Sequence, residues 1–210
     1  MDLQDLILEE TFTVPHMDKR LSWFNQPEEW EIDSKEKLLI VKPNAKTDFW
    51  QKTHYGFSAD NGHFLYCEVD GNFILETQVS FSFKHQYDQA GLMVRISPEC
   101  WIKTSIEYEP KEENKLGVVV TNDGFSDWST QNCPKEIESL AFRISRIQSD
   151  YLIQYRAGIK ADWIQLRMTH LTDTNKVQCG LYALSPKDKG FIAKFHYLLI
   201  CKSKVKLYNN

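Results

Sequence analysis

Between residues 64 and 200 the chain alternates apolar and polar side chains with a period of two, in one short run after another. A residue pair that repeats this way puts one set in a core and the other in water, which is the signature of a β-strand. Over residues 73–83, Phe73, Leu75, Thr77, Val79, Phe81 and Phe83 share one face, and Ile74, Glu76, Gln78, Ser80 and Ser82 share the other. A helix would scatter both sets around its surface. The same alternation predicts strands over 89–97, 101–108, 116–121, 140–146, 151–157, 163–170, 177–184 and 191–200, with shorter ones at 38–42 and 64–69. Asn61-Gly62, Asp70-Gly71-Asn72, Asn122-Asp123-Gly124, Ala157-Gly158 and residues 186–190 supply the turns between them. No helical period extends over a dozen residues, and residues 3–9 are expected to make two helical turns at most. Many short strands at this spacing predict an all-β sandwich or jelly roll. The 210 residues fit one such domain, 1–210, with no repeat and no linker composition.

Charge and cysteine usage narrow the function classes. With 25 Lys and Arg against 29 Asp and Glu, the net charge is -4. That balance gives no long-range attraction for phosphate backbones or anionic lipid, so neither nucleic acid nor membrane is an expected partner. The basic run Lys202, Lys204 and Lys206 reads as a solvated tail. No stretch reaches the roughly 20 apolar residues of a membrane helix. The acidic start, with Asp2, Asp5, Glu9 and Glu10, lacks the form of a secretory signal, so a cytoplasmic location is expected. Cys67, Cys100, Cys133, Cys179 and Cys201 are odd in number and contain no C-x-x-C pair, which suits reduced thiols. The six histidines show neither HxH nor HExxH spacing, and no cofactor or metal is expected. P-loop, G-x-S-x-G and dinucleotide-binding glycine motifs are also missing.

The polar faces of the strands hold the candidates for function. Opposite the apolar set of 89–97 stand Gln89, Gly91, Met93 and Arg95, and opposite that of 101–108 stand Trp101, Lys103, Ser105 and Glu107. Arg143 interrupts the apolar run of 140–146, and Trp163, Gln165 and Arg167 oppose Ile164, Leu166 and Met168. One reading is the ordinary wet face of an antiparallel sheet. The other is a ligand face, since aromatic plates among planar hydrogen-bonding groups suit a sugar ring with its apolar C–H faces and hydroxyl rim. The ligand reading takes Gln89, Arg95, Trp101, Lys103, Glu107, Asp127, Trp128, Arg143 and Arg167 as contacts, with Asp127 and Trp128 at the mouth. It requires them to converge on one water-facing hollow, where removing Lys103 would change stability by under about 1 kcal/mol. For catalysis, Glu107 and Glu109 lie two residues apart at the roughly 6.5 Å of one strand face, within the separation that glycosidase carboxylates need. Pro110 places Glu109 at the strand end. Glu107 is the weak catalytic candidate, its acidity raised by any nearby Lys or Arg. His85 reads as a structural histidine.

Several stretches resemble a known family. They are Trp23-Phe24-Asn25-Gln26-Pro27 with Trp30, residues 46–57 beginning Lys46-Thr47-Asp48-Phe49-Trp50, residues 86–95 (Gln86-Tyr87-Asp88-Gln89-Ala90-Gly91-Leu92-Met93-Val94-Arg95), and Trp101-Ile102-Lys103 with Ile106-Glu107. Val120-Thr121 with residues 126–129, and Ser185-Pro186 with Gly190-Phe191, complete the set. Over residues 20–200 the chain resembles the DUF1349, regulation-of-enolase-like family. The resemblance implies a concanavalin A-like, lectin/glucanase-type jelly-roll sandwich of two curved antiparallel sheets, one concave and ligand-bearing. It implies no established activity. The Glu-x-Asp-x-x-Glu strand of glucanases with this fold does not occur here. Three readings follow: a module that binds a carbohydrate or small polar metabolite, a glycoside hydrolase or lyase-like enzyme using Glu107, and a regulatory module that binds a protein partner.

Overall fold

The computed structural model describes residues 5–158 and 160–203, so Lys204 and Lys206 of the basic run lie outside the described residues. Among the described residues there are 17 strands. The first six are β1 (Leu6–Glu10), β2 (Ser22–Phe24), β3 (Glu29–Asp33), β4 (Leu38–Lys42), β5 (Phe49–Gln51) and β6 (Ser58–Asp60). The longer strands begin with β7 (His63–Asp70), β8 (Phe73–Ser82), β9 (Gln89–Ser97), β10 (Cys100–Glu107), β11 (Asn114–Asn122) and β12 (Phe125–Cys133). The last five are β13 (Ser139–Ile147), β14 (Asp150–Arg156), β15 (Ile164–His170), β16 (Lys176–Leu184) and β17 (Ile192–Lys202).

They form the jelly-roll sandwich that the alternation predicts. One antiparallel sheet runs β12-β11-β10-β9-β16-β7-β2; the other runs β15-β14-β13-β8-β17-β4-β3, with β1 also paired to β17. Alternate side chains of the two sheets meet between them, where Leu75, Val79, Leu92, Val94, Ile102, Ile106, Phe142, Ile144, Leu181 and Phe195 are buried in one apolar cluster. All five cysteines are buried thiols. Among the described residues no helix is long and apolar enough to cross a membrane.

Three sequence expectations change. Residues 6–10 form a strand rather than helical turns, because pairing of β1 with β17 and burial of Leu8 outweigh a weak local preference. Residues 125–133, where the alternation predicts no strand, are the edge strand β12, joined to β11 by a two-residue turn in which Asp123 and Gly124 both have positive φ. A bulge shifts β15, so that Gln165 faces Gln154 but Arg167 faces Ile153. An extra residue reverses which face the following side chains occupy. Met168, on the face of Leu152, is therefore exposed rather than in the core; Ile164, before the shift and opposite Tyr155, is also exposed, at the edge of the sheet.

The short β5–β6 hairpin lies over the outer face of the seven-stranded sheet rather than joining it. Phe49 and Trp50 drive that placement, packing with Phe64, Met93, Trp101, Val119, Tyr182 and Leu184 in a second apolar cluster outside the sandwich. Arg95 on β9 clamps the hairpin through a 2.5 Å contact with Asp60. The Gln51 amide donates to Ser126 Oγ at 2.9 Å.

Candidate functional site

The hairpin covers only part of that outer face. Beside it is a hollow of about 270 Å³ lined by Asp48, Trp50, Tyr55, Phe57, Tyr87, Gln89, Lys103, Glu107, Val119 and Trp128. Strand register explains why these meet. Lys103 lies opposite Met93 on one side and Val119 on the other, and Val119 lies opposite Trp128, so Lys103, Val119 and Trp128 form a row across β10, β11 and β12. Glu107 and Gln89 are cross-strand partners on the same face, two rows along, with Ser105 and the side-chain-free Gly91 and Gly117 in the row between.

Polar groups form the floor. Gln89 Nε2 donates to Glu107 Oε2 at 2.7 Å and to the Tyr87 carbonyl at 3.2 Å, while Tyr182 donates its hydroxyl proton to Gln89 Oε1 at 3.1 Å. The amide of Gln89 is thus fixed with its NH2 toward Glu107. Lys103 is only 3% exposed, and its ammonium is 3.5 Å from Asp48 Oδ1 and 5.9 Å from the centroids of Trp101 and Tyr182. Burial pushes Glu107 up to about 7. The neighbouring Lys103 charge pulls the other way, as the sequence suggests, but desolvation is the larger effect, with Asp48 and Glu109 adding to it.

Two local devices hold the walls. Asp88 accepts from the amides of Lys84 and His85 at 2.9 and 2.7 Å, and from Ser185 Oγ. This fixes the turn that presents Tyr87, whose φ of 73° is unfavourable for a bulky residue. Thr47 accepts from the Ser185 amide at 2.9 Å and donates to the Asn44 carbonyl at 2.8 Å, seating the start of the hairpin beside β16. At the hairpin tip Tyr55 and Phe57 are exposed, as is Trp128 across the hollow.

Of the residues chosen from sequence, Gln89, Lys103, Glu107 and Trp128 line this hollow. The convergence expected of the others is corrected. Trp101 is fully buried beneath the hairpin, its indole NH donating to the Pro98 carbonyl at 3.1 Å. Arg95 is committed to Asp60 and packs over Phe24. Arg143 stands on the other sheet, paired with Glu76 at 2.7 Å and stacked 4.0 Å from the centroid of Trp163. Arg167 also belongs to that sheet and reaches across to Asp127 at 3.0 Å and Ser129 at 3.2 Å. This pair ties the edges of the two sheets and holds Asp127 below its ordinary carboxylate range. Lys103 is not at a wet surface, since the hairpin and its own ion pair enclose it. Glu109 does not share a strand face with Glu107, because β10 ends at Glu107 and Gln86 donates to the Glu109 carboxylate at 2.8 Å. His85 hydrogen-bonds the Lys189 carbonyl at 3.1 Å, away from the floor. Sequence reasoning missed Asp48, Trp50, Tyr55, Phe57 and Tyr87 as site residues. The signal was present, because Asp48 and Trp50 lie in the same family motif as Phe49, and Tyr87 directly precedes Asp88-Gln89. Among the described residues no three His, Cys, Asp or Glu side chains form a cluster suited to a metal ion.

An all-β sandwich with one covered outer face and a half-open polar hollow defines a class rather than an activity. Residues 23–202 match the family described as "Protein of unknown function (DUF1349)", and the chain belongs to that family. It is 32% identical over 174 residues to "Regulation of enolase protein 1" of Saccharomyces cerevisiae, covering 83% of this chain and 85% of that protein. The crystal structure of a functionally unknown protein from Saccharomyces cerevisiae superposes with a TM-score of 0.82 at 30% identity, covering 89% of this chain and 98% of that one. A xylan beta-1,4-xylosidase from Bacillus halodurans C-125 superposes with a TM-score of 0.72 at 12% identity. That match covers 92% of this chain and 39% of the xylosidase, and it shows the shared fold.

Proposed function

We propose that the hollow binds a carbohydrate unit or a similarly polyhydroxylated small metabolite. The observation that carries this reading is a polar floor, with Gln89 and Lys103 buried and Glu107 and Asp48 half-buried, lined by Trp50, Tyr55, Phe57, Tyr87 and Trp128. Aromatic faces accept the C–H side of a pyranose or furanose, while the floor offers fixed donors and acceptors to its hydroxyls. The Glu107 and Asp48 carboxylates each hold one floor partner, Gln89 and Lys103 respectively, which leaves further lone pairs on the hollow's side for a ligand that donates hydrogen bonds. The occurrence of the same fold within a xylosidase is consistent with sugar recognition. Titration calorimetry with xylose, glucose, galactose, mannose and arabinose as methyl glycosides tests it. Saturable heat that falls at least about tenfold in affinity for Trp128→Ala and Gln89→Ala supports the reading. No heat from any sugar at millimolar concentration rejects it.

A second reading has its own observation. Glu107, pushed up to about 7, retains its proton near neutrality and faces the same hollow as Asp48. A protonated acid beside a second carboxylate is the equipment of acid-catalysed glycoside cleavage. Release of nitrophenol from para-nitrophenyl glycosides, abolished by both Glu107→Gln and Asp48→Asn, would favour that reading over simple binding.

A further inference from the structure

Resting on the carbohydrate reading above, we propose that the hollow accepts the terminal unit of a saccharide and excludes internal units. Burial on the outer face of the seven-stranded sheet carries this. A polymer lying across a sheet needs open surface on both sides of the unit being recognised. Here one direction is filled. Going from Gln89 and Gly91 on β9 to β16 and β7, the outward side chains are Leu184, Tyr182 and Phe64, all 1% exposed or less. Phe49 of the hairpin, itself fully buried, packs upon them, with its ring centroid 6.5 Å from that of Tyr182.

The direction along the strands toward the start of β10 is closed as well. Trp101 is sealed there, and the clamp between Arg95 and Asp60 holds the hairpin down, with the Arg95 side chain 6% exposed. Beyond Glu107, at the end of β10, Tyr87 forms the wall, its amide bonded to the Tyr108 carbonyl at 2.9 Å. What stays open is the side of the edge strand β12 and the mouth. There Tyr55, Phe57 and Trp128 expose 58%, 45% and 36% of their surface. Large exposed aromatics concentrated at one opening form a stacking surface for whatever leaves it. The floor groups would hold the end unit, and these three rings would hold the next.

Calorimetry on the intact chain with xylo-, cello- and malto-oligosaccharides of one, two and six units, each at equal chain concentration, tests this. Terminal recognition gives an affinity per chain that rises from one unit to two and then stays within about twofold up to six units. Recognition of internal units gives an affinity per chain that climbs with the number of units, and this overturns the proposal while leaving carbohydrate binding intact. No binding by any series overturns the carbohydrate reading itself. Tyr55→Ala with Phe57→Ala is expected to weaken the disaccharide more than the monosaccharide; an equal loss for both removes the assigned second position.

Discussion

Glu107 is pulled in two directions, and the balance makes a stability signature. The folded protein keeps its proton up to about pH 7, against an ordinary value of 4.5. A group that binds its proton more tightly when folded stabilises the fold fully below the unfolded pKa and loses that contribution as pH rises through the folded one. The difference is worth about 3 kcal/mol at most. Glu107→Gln keeps an acceptor for Gln89 but cannot ionise, so it should gain up to that amount at pH 8 and nothing at pH 4. Urea unfolding at both values checks it, and equal effects at the two would contradict the burial argument. Lys103 makes a related prediction. Because its charge lowers the Glu107 pKa, Lys103→Met should move that pKa further upward, as read by carbon-13 NMR of the side-chain carboxyl. A downward move would mean that the two groups do not face one another. Lys103 also shows what sequence cannot tell: alternation places it on an outward face, yet nothing in its own strand says that a distant hairpin will cover that face.

At the scale of elements, the site depends on a hairpin that pairs with neither sheet. Its two strands have three residues each, too short for alternation to register, so the sequence pattern gave no warning of it. The longer strands other than β12 were legible because each carries apolar side chains at alternate positions, which the mostly exposed edge strand β12 lacks, and the termini assigned to β9 and β4 needed no revision. Arg143 and Arg167 were misplaced for a different reason. Alternation tells which side of its own sheet a residue occupies but not which sheet the strand joins, and the bulge in β15 then exchanged the faces. The clamp gives a test at this scale. Asp60→Ala leaves Arg95 without its carboxylate and should loosen the hairpin. Amide hydrogen exchange should quicken by at least about tenfold in residues 49–60 while β8 and β13 are unchanged. Uniform quickening would show that the hairpin is part of the global unfolding unit instead.

Over the whole molecule, stability and site reside on opposite faces of one sheet. Between the sheets, Leu92 is fully buried and Phe81 nearly so. Leu92→Ala and Phe81→Ala should each cost about 2–5 kcal/mol in urea unfolding. A loss under about 1 kcal/mol would contradict their placement in the core. The outer face carries less of the fold and more of the chemistry. The resemblance to a family pointed to the sandwich, and the stretches that carry it around Asp48-Phe49-Trp50 and Tyr87-Asp88-Gln89 converge in space on Lys103 and Glu107. Composition and periodicity alone could not bring together segments about forty residues apart in sequence.

The central claim is that ligand enters beneath the hairpin tip and not on the other sheet. Two-dimensional nitrogen–proton NMR, with the indole and side-chain amide signals assigned and the sugar that binds in calorimetry titrated in, tests it most directly. Saturable shifts of the Trp50 and Trp128 indole signals and of the Gln89 side-chain amide are predicted, with Trp163 unmoved. Shifts confined to Trp163 and the neighbourhood of Arg143 would contradict the account.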